Sequence, residues 1–439
     1  MSGIAGMFLD CGYTNIIWVD TAVSQLTQNL EKRWISITYG HGKITIHPGD
    51  AVIYSAAAVD SPEVKQAKEI ASSYPKGMLV ANYFEFLGEI SKYFVSIGIA
   101  GTNGKSSTTA LMIHAASKSL SDCAEWILGA LVPSLWNQSY YINPTHKSFI
   151  ANVLHHICTG KWLDTTQLKK YLFIIEACEY RRHFLHLDLD YTIITNIELD
   201  HTDYYKDEAD YIDAFTSLID RTKRKVFVAD DITVRSDDKV QKIKTQSQNI
   251  SHLSNHNDTN GSLVQACLET VKPNTIDRKT ARSNFAGLRR RMEYLGEVNT
   301  NPIYTDYAHM ASSIDAIYQL MRFKHPDKKL VCIFQPHQAQ RVLQDRDHFT
   351  SVMKQFDQAY IYDMYTAREN LEELTQKFSK KANNVTELWQ LFAAQCNAPY
   401  YTSIKQLQSI ITTTAQDSII ILCTAGDADF QLRQILKNI

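Results

Sequence analysis

Short apolar runs recur along the chain and alternate with stretches whose apolar residues fall at helical spacing. Val52–Tyr54, Phe94–Ile99, Leu172–Ile175, Tyr191–Thr195, Val226–Val228, Leu330–Phe334, Tyr360–Tyr362 and Ile419–Leu422 are rich in β-branched and aromatic residues. They are too short for buried helices and read as strands. Between them, Ser106–Lys118 and Ala209–Ile219 repeat apolar residues on one helical face. Strand–helix alternation of this kind predicts an α/β protein with largely parallel sheets. Asp230–Asn260 breaks the pattern: it is rich in Ser, Asn, Asp and Lys, and predicts surface chain without a strand.

A chain of 439 residues exceeds one ordinary core. Boundaries fall before Phe94, where a polar helix hands over to a strand, and at the polar segment Glu297–Pro302. They give three domains, 1–93, 94–297 and 298–439. A formal net charge of -2 leaves no basic excess to neutralise phosphates, which argues against a nucleic-acid or membrane-surface protein. The eight cysteines include no Cys-x-x-Cys pair, so no zinc knuckle or dithiol site is indicated. Cys332 and Cys423 stand in apolar runs, as small buried thiols do. With no apolar stretch of membrane length, the expectation is a cytoplasmic protein, monomer or homodimer.

The strongest chemical signal is Gly101-Thr102-Asn103-Gly104-Lys105-Ser106-Ser107-Thr108, directly after a strand and before a helix. Glycines let backbone N–H groups approach phosphate oxygens, and the helix N-terminus favours their charge. Lys105, read as an exposed loop lysine, reaches the β- and γ-phosphates, and the Ser106 hydroxyl serves Mg²⁺. Ile99 stands where the strict phosphate-loop pattern has glycine. Glu176 and Glu179 follow the strand Leu172–Ile175, and Glu198, Asp200, His201 and Asp203 follow Tyr191–Thr195. Both groups leave the carboxyl ends of strands, where open α/β sheets bind ligands.

In this order the motifs resemble the central ATPase domain of the Mur ligases. Further segments resemble the same family. Leu253-Ser254-Asn255-His256-Asn257 with Asn260 matches its adenine-holding segment, and Phe285-Ala286-Gly287-Leu288-Arg289-Arg290-Arg291 its Gly-x-x-Arg-Arg element. Tyr304-Thr305-Asp306-Tyr307-Ala308-His309 resembles the start of the C-terminal domain, whose Asp meets the ribose. Gln335-Pro336-His337, Asp363-Met364-Tyr365-Thr366-Ala367-Arg368-Glu369 and Ala425-Gly426-Asp427 follow. Within the family they are most like the alanine-adding ligase.

The resemblance implies a three-domain architecture: a Rossmann-like N-terminal domain, a P-loop ATPase domain and a Rossmann-like C-terminal domain. It implies that ATP phosphorylates the lactyl carboxylate of UDP-N-acetylmuramate and that L-alanine attacks the acyl phosphate. Nucleotide contacts then fall to Gly101, Thr102, Asn103, Gly104, Lys105, Ser106, Ser107, His256, Asn257, Asn260 and Asp306. The metal falls to Ser106, Glu176 and His201. Lys105, His201, Arg290, Arg291 and His337 serve the chemistry, while Tyr307, His309, His337 and Arg341 meet substrate.

Three departures qualify the match. Met1-Ser2-Gly3-Ile4-Ala5 resembles the helix after the family's first strand, so an N-terminal domain without that strand and its phosphate loop is expected, and Gly3–Gly6 reads as helix. Ala308, Met310 and Gln338 replace residues of the family's substrate elements, Gln338 removing a cation. The stretch between Asp230 and His256 is shorter than in the family and lacks its strand pattern, and Gly129–Leu172 resembles the family poorly, with no substrate contacts assigned. His146, His155 and His156 read as surface or core histidines, Tyr140 as packing, and Asp188 and Asp190 as strand caps. Two alternatives stay open: a related ligase with another amino acid or a recycled peptide, and a nucleotide-binding relative without ligase activity.

Overall fold

The computed structural model describes residues 1–21, 23, 25–74, 78–119, 125–132, 138–202, 204–235, 237–244, 255–273, 289–365, 382 and 384–438. The chain divides into two units: Met1–Gln246 with Asn257–Ala286, and Ser247–His256 with Gly287–Ile439.

The first unit opens with the helix Ser2–Asp10, as expected over the early glycines. Gly6 lets a side chain press onto its backbone, since a Cβ there would meet the Tyr140 ring at 2.4 Å. Tyr140 packs as anticipated and also donates to Asp10 (2.8 Å) while accepting from Arg33 (2.6 Å). Two parallel pairs follow, β1 (Ile17–Asp20) with β2 (Ser36–Tyr39), and β3 (Val52–Tyr54) with β4 (Val80–Asn82), each a separate two-stranded sheet among the described residues. Two strands alone are marginal in water. They lean on the first helix, which shares one apolar cluster with Ile53 and Ala81 and another with Trp18 and Ile37. Asn82 ends β4 and caps the helix Tyr83–Ser91 through a reciprocal box with Glu85, so strand becomes helix with no intervening loop.

The main sheet of this unit contains β5 (Val95–Ala100), β6 (Glu125–Val132), β7 (Gln138–Tyr141), β8 (Leu172–Glu176), β9 (Tyr191–Ile194), β10 (Lys225–Ala229) and β11 (Val240–Ile243). Their order is β11-β10-β9-β5-β8-β6-β7. Only β7 runs antiparallel. β9 is buried at every position and β8 at all but its last, which is why both read as unbroken apolar runs. Two expectations need correcting. The polar stretch after Asp230 does contain a strand, β11, which extends the sheet edge beside β10. The unassigned region around Gly129–Leu172 supplies β6 and β7. An exposed edge strand needs little apolar content, so polarity concealed β11.

In the second unit, β12 (Glu293–Val298), β13 (Asn301–Asp306), β14 (Lys329–Gln335), β15 (Gln358–Tyr362), β16 (Tyr400–Tyr401) and β17 (Ser418–Thr424) form one sheet ordered β12-β13-β17-β14-β15-β16. β12 is the antiparallel edge. β17, buried throughout, lies between β13 and β14, so Asp306, Thr424 and Gln335 end at one edge of the sheet.

Candidate active site

Because β5 lies between β8 and β9, the segments after all three strands emerge along one edge of the first unit's sheet. This is the switch point at which such sheets bind ligands. The loop after β5 is fixed by its glycines. Gly101 has φ +132, and a Cβ there would stand 2.1 Å from Thr195 Oγ1. Gly104 has φ +81 and faces Asn260, whose Nδ2 would lie 3.3 Å from a Cβ. The chain after β9 laces the loop in place. Asn103 N donates to Asn196 Oδ1 (2.8 Å), Asn196 Nδ2 donates to Asn103 O (2.9 Å), and Thr102 Oγ1 donates to Glu198 O (2.6 Å). Ser106, buried, and Ser107, half-buried, open the helix Lys105–Ser119.

Lys105 is not the exposed residue expected. Its ammonium is 2.8 Å from Glu179 Oε2 and donates to the carbonyls of Gly101 (2.6 Å) and Thr102 (2.9 Å). Burial works against that charge, but Glu179 outweighs it, and the Lys105 pKa stands above the ordinary lysine value. Glu179 Oε1 is also 3.7 Å from His201 Nε2, and Asp200 Oδ2 is 3.7 Å from the same nitrogen. Donor atoms of Glu179, Asp200 and His201 all lie within 4.8 Å of one another.

Glu179 and Asp200 join His201 in this cluster, and Glu176, expected as a ligand with Ser106 and His201, has a buried Oε2 without a hydrogen-bond partner. Glu176 ends β8 and Glu179 follows it, and spacing alone did not tell which one faces the imidazole. Asp203 and the side chains of His256 and Asn257 lie outside the described residues, although the last two stand in the helix Asn255–Val271 with Asn260.

Next to this cluster the chain from Tyr180 to His186 makes a kinked turn, with Arg181 (φ 51, ψ 28) and Arg182 (φ 57, ψ 26) both left-handed. The Tyr180 ring packs on His201 at 4.5 Å, and the Arg181 guanidinium lies 5.4 Å over the Tyr180 ring. Arg181 and His183 form one wall of a cleft of about 320 Å³ whose other walls include Tyr54, Asn82, Tyr83 and Phe84. His183 stacks on Phe84 at 4.6 Å, and burial, then His186 and Arg181, push it down to about 4, so it is neutral near pH 7. Sequence reading did not single out Arg181 or His183.

The second unit gathers its expected residues at one sheet edge. Arg290, at φ 56, donates to the carbonyls of Thr424 (2.5 Å) and Gly426 (3.1 Å). Its guanidinium and that of Arg291 lie 4.9 and 5.3 Å from the Tyr307 ring centre. Asp306 is buried and accepts from the Met292 (2.7 Å) and Ala308 (2.8 Å) amides. His337 meets His309 edge-on at 6.1 Å and stacks on Tyr365 at 5.9 Å. Its Nδ1 is buried without a hydrogen-bond partner, and burial, then Arg341 and Arg290, push the ring down to about 4. Gln338 has φ 58. Arg368 and Glu369, like Leu253 and Phe285–Gly287, lie outside the described residues.

Comparison with known proteins bears on the arrangement. The Mur ligase middle domain matches residues 99–296, and the Mur ligase glutamate ligase domain matches residues 290–426. A UDP-N-acetylmuramate–L-alanine ligase of Lactobacillus helveticus is 31% identical over 408 residues, covering 84% of this chain and 84% of the relative. Among solved structures, the UDP-N-acetylmuramate–alanine ligase of Thermotoga maritima superposes with a TM-score of 0.69 at 19% identity, over 100% of this chain and 96% of the other. The MurF ligase of Thermotoga maritima, in complex with ADP, gives 0.56 at 11% identity, over 89% and 94%. These two likenesses concern the fold.

Proposed function

The chain belongs to the Mur ligase family, and from that premise we propose that it is an ATP-dependent ligase joining L-alanine to the lactyl carboxylate of UDP-N-acetylmuramate. The observation that carries the proposal is the meeting, at one sheet edge, of a phosphate loop with the Lys105–Glu179 pair and the Glu179, Asp200 and His201 cluster. We place the domain boundaries at 93/94 and 297/298. Among the described residues no helix is long and apolar enough to cross a membrane, in keeping with work on water-soluble precursors in the cytoplasm.

The acyl donor, UDP-N-acetylmuramate, binds in the cleft bordered by Asn82, Phe84, Arg181 and His183. The loop amides from Gly101 to Ser106 cradle the ATP phosphates, and Lys105 sets its ammonium against the γ-phosphate as that group moves. Carboxylates, an imidazole and the Ser106 hydroxyl suit a hard divalent cation, and the unsatisfied Glu176 oxygen adds a further donor at that edge. Glu179, Asp200, His201 and Ser106 would hold Mg²⁺, which when bound neutralises phosphate charge and draws the carboxylate toward it. In the second unit, Arg341 pairs with the alanine carboxylate. His337, neutral near pH 7, offers its uncharged ring to the alanine as a hydrogen-bond partner.

The test is phosphate release by the purified protein with ATP and Mg²⁺, adding UDP-N-acetylmuramate and each of several amino acids. Release that requires both the UDP-sugar and L-alanine supports the proposal. Release with a different amine redirects it to another member of the family, and ATP binding without release sinks the ligase reading.

A further inference from the structure

Two consecutive arginines in left-handed backbone are costly, because a side chain there crowds the following carbonyl. Such strain persists only where surrounding contacts hold it. Those contacts are visible for Arg182. Its NH1 donates to Asp213 (2.9 Å) and its NH2 to Asp210 (2.6 Å), its N–H donates to Glu179 O (2.8 Å), and its guanidinium lies 6.0 Å over the Tyr205 ring. Gly88 brings the helix Tyr83–Ser91 against the far end of the turn, where a Cβ would stand 2.1 Å from His186 O.

No comparable anchor holds Arg181. It is exposed, meets no carboxylate among the described residues, and rests on the Tyr180 ring, which packs on His201 of the ligand cluster. The fold thus secures one arginine so that its neighbour presents a cation in the cleft. Arg182 pins the turn, and Arg181 faces Asn82 and Phe84 across an open space of about 320 Å³. His183 on the same wall carries no charge near pH 7.

We propose that Arg181 is a specificity-determining residue that pairs with an anionic group of the acyl-donor substrate, the UDP-sugar. The assignment rests on the ligase reading given above. UDP-N-acetylmuramate carries two candidate groups, its diphosphate and its lactyl carboxylate. A guanidinium serves either as a two-pronged donor.

The test is Arg181→Gly, which removes the cation and suits left-handed backbone, followed by calorimetric binding of UDP-N-acetylmuramate and, separately, of ADP with Mg²⁺. We expect the UDP-sugar to bind roughly 10- to 100-fold more weakly, ADP to bind as before, and the melting temperature to hold or rise. Arg181→Lys, which keeps the charge but not the fork, should fall between. Equal weakening of ADP, or a lowered melting temperature, would make the residue structural and overturn the assignment. Unchanged UDP-sugar affinity would do the same. UDP-N-acetylglucosamine, which has the diphosphate but no carboxylate, separates the sources. A loss shared by both sugars assigns Arg181 to the diphosphate, and one confined to UDP-N-acetylmuramate assigns it to the carboxylate. Wild-type protein that binds no UDP-N-acetylmuramate would sink the ligase reading and this inference together, whereas normal wild-type binding with an indifferent variant sinks only this one.

Discussion

Lys105 and Glu179 face each other at 2.8 Å, with side chains 14% and 2% exposed, so the phosphate-loop cation and a ligand-cluster carboxylate are each other's counter-charge. Breaking such a pair from one side leaves a charge buried without a partner. Lys105→Ala should abolish phosphate release and also cost about 3–5 kcal/mol of stability, contrary to what an exposed loop lysine would do. The double variant Lys105→Met with Glu179→Gln should regain most of that stability in a denaturant titration while staying inactive. A single variant as stable as wild type would show that water screens the pair.

Gly101→Ala tests the loop itself. At φ +132 the new methyl group is strained and would collide with Thr195 Oγ1 at 2.1 Å. The loop must shift away from Asn196, and ADP affinity measured by calorimetry should drop at least about tenfold. Unaltered affinity would mean that the loop amides do not hold the nucleotide.

The ligand cluster predicts an order among magnesium titrations. His201 sits at φ 56, a conformation asparagine tolerates well, so His201→Asn removes the imidazole without adding strain. Its half-saturating Mg²⁺ for turnover should rise by about tenfold, and by more than in Glu176→Gln. The reverse order would return the metal to Glu176.

Acid should weaken the fold through two neutral histidines. His183 and His337 are pushed down to about 4, below an unfolded value of about 6.5. Between those values the unfolded chain binds more protons than the folded one. The stabilisation is therefore whole above the unfolded value and drains away as pH falls toward 4. Each ring contributes on the order of 1–2 kcal/mol over this window, allowing for solvent screening. Melting temperatures recorded from pH 7 to 4.5 should fall less steeply in His337→Gln than in wild type. Parallel slopes would place the His337 ring in contact with water.

The sequence was most legible where local chemistry and pattern agreed. Gly101 to Lys105 combined a buried strand, obligatory glycines and a helix start, and the structure has all three. Side-chain direction was less accessible. Glu176 ends and Glu179 follows the same strand, and only the tertiary path of the Tyr180–His186 turn decides that Glu179 meets both Lys105 and His201. Arg181 escaped notice for a related reason, since left-handed arginine has no signature in composition or periodicity. β11 was hidden because an edge strand needs few apolar residues, and β6 and β7 because their segment matched no recognised element.

The placement of β5 between β8 and β9 also bears on how the protein matures. Thr102 bonds Glu198 and Asn103 bonds Asn196 across more than ninety intervening residues, so the phosphate loop has no fixed shape until the chain has been made through His201 and its strands have paired. Contacts between such distant positions form late and slowly. A nucleotide can stabilise only the assembled state. It therefore cannot guide early folding of this sheet, but it can trap the sheet once complete, and protection by ADP during refolding would time the moment at which the three strands come together.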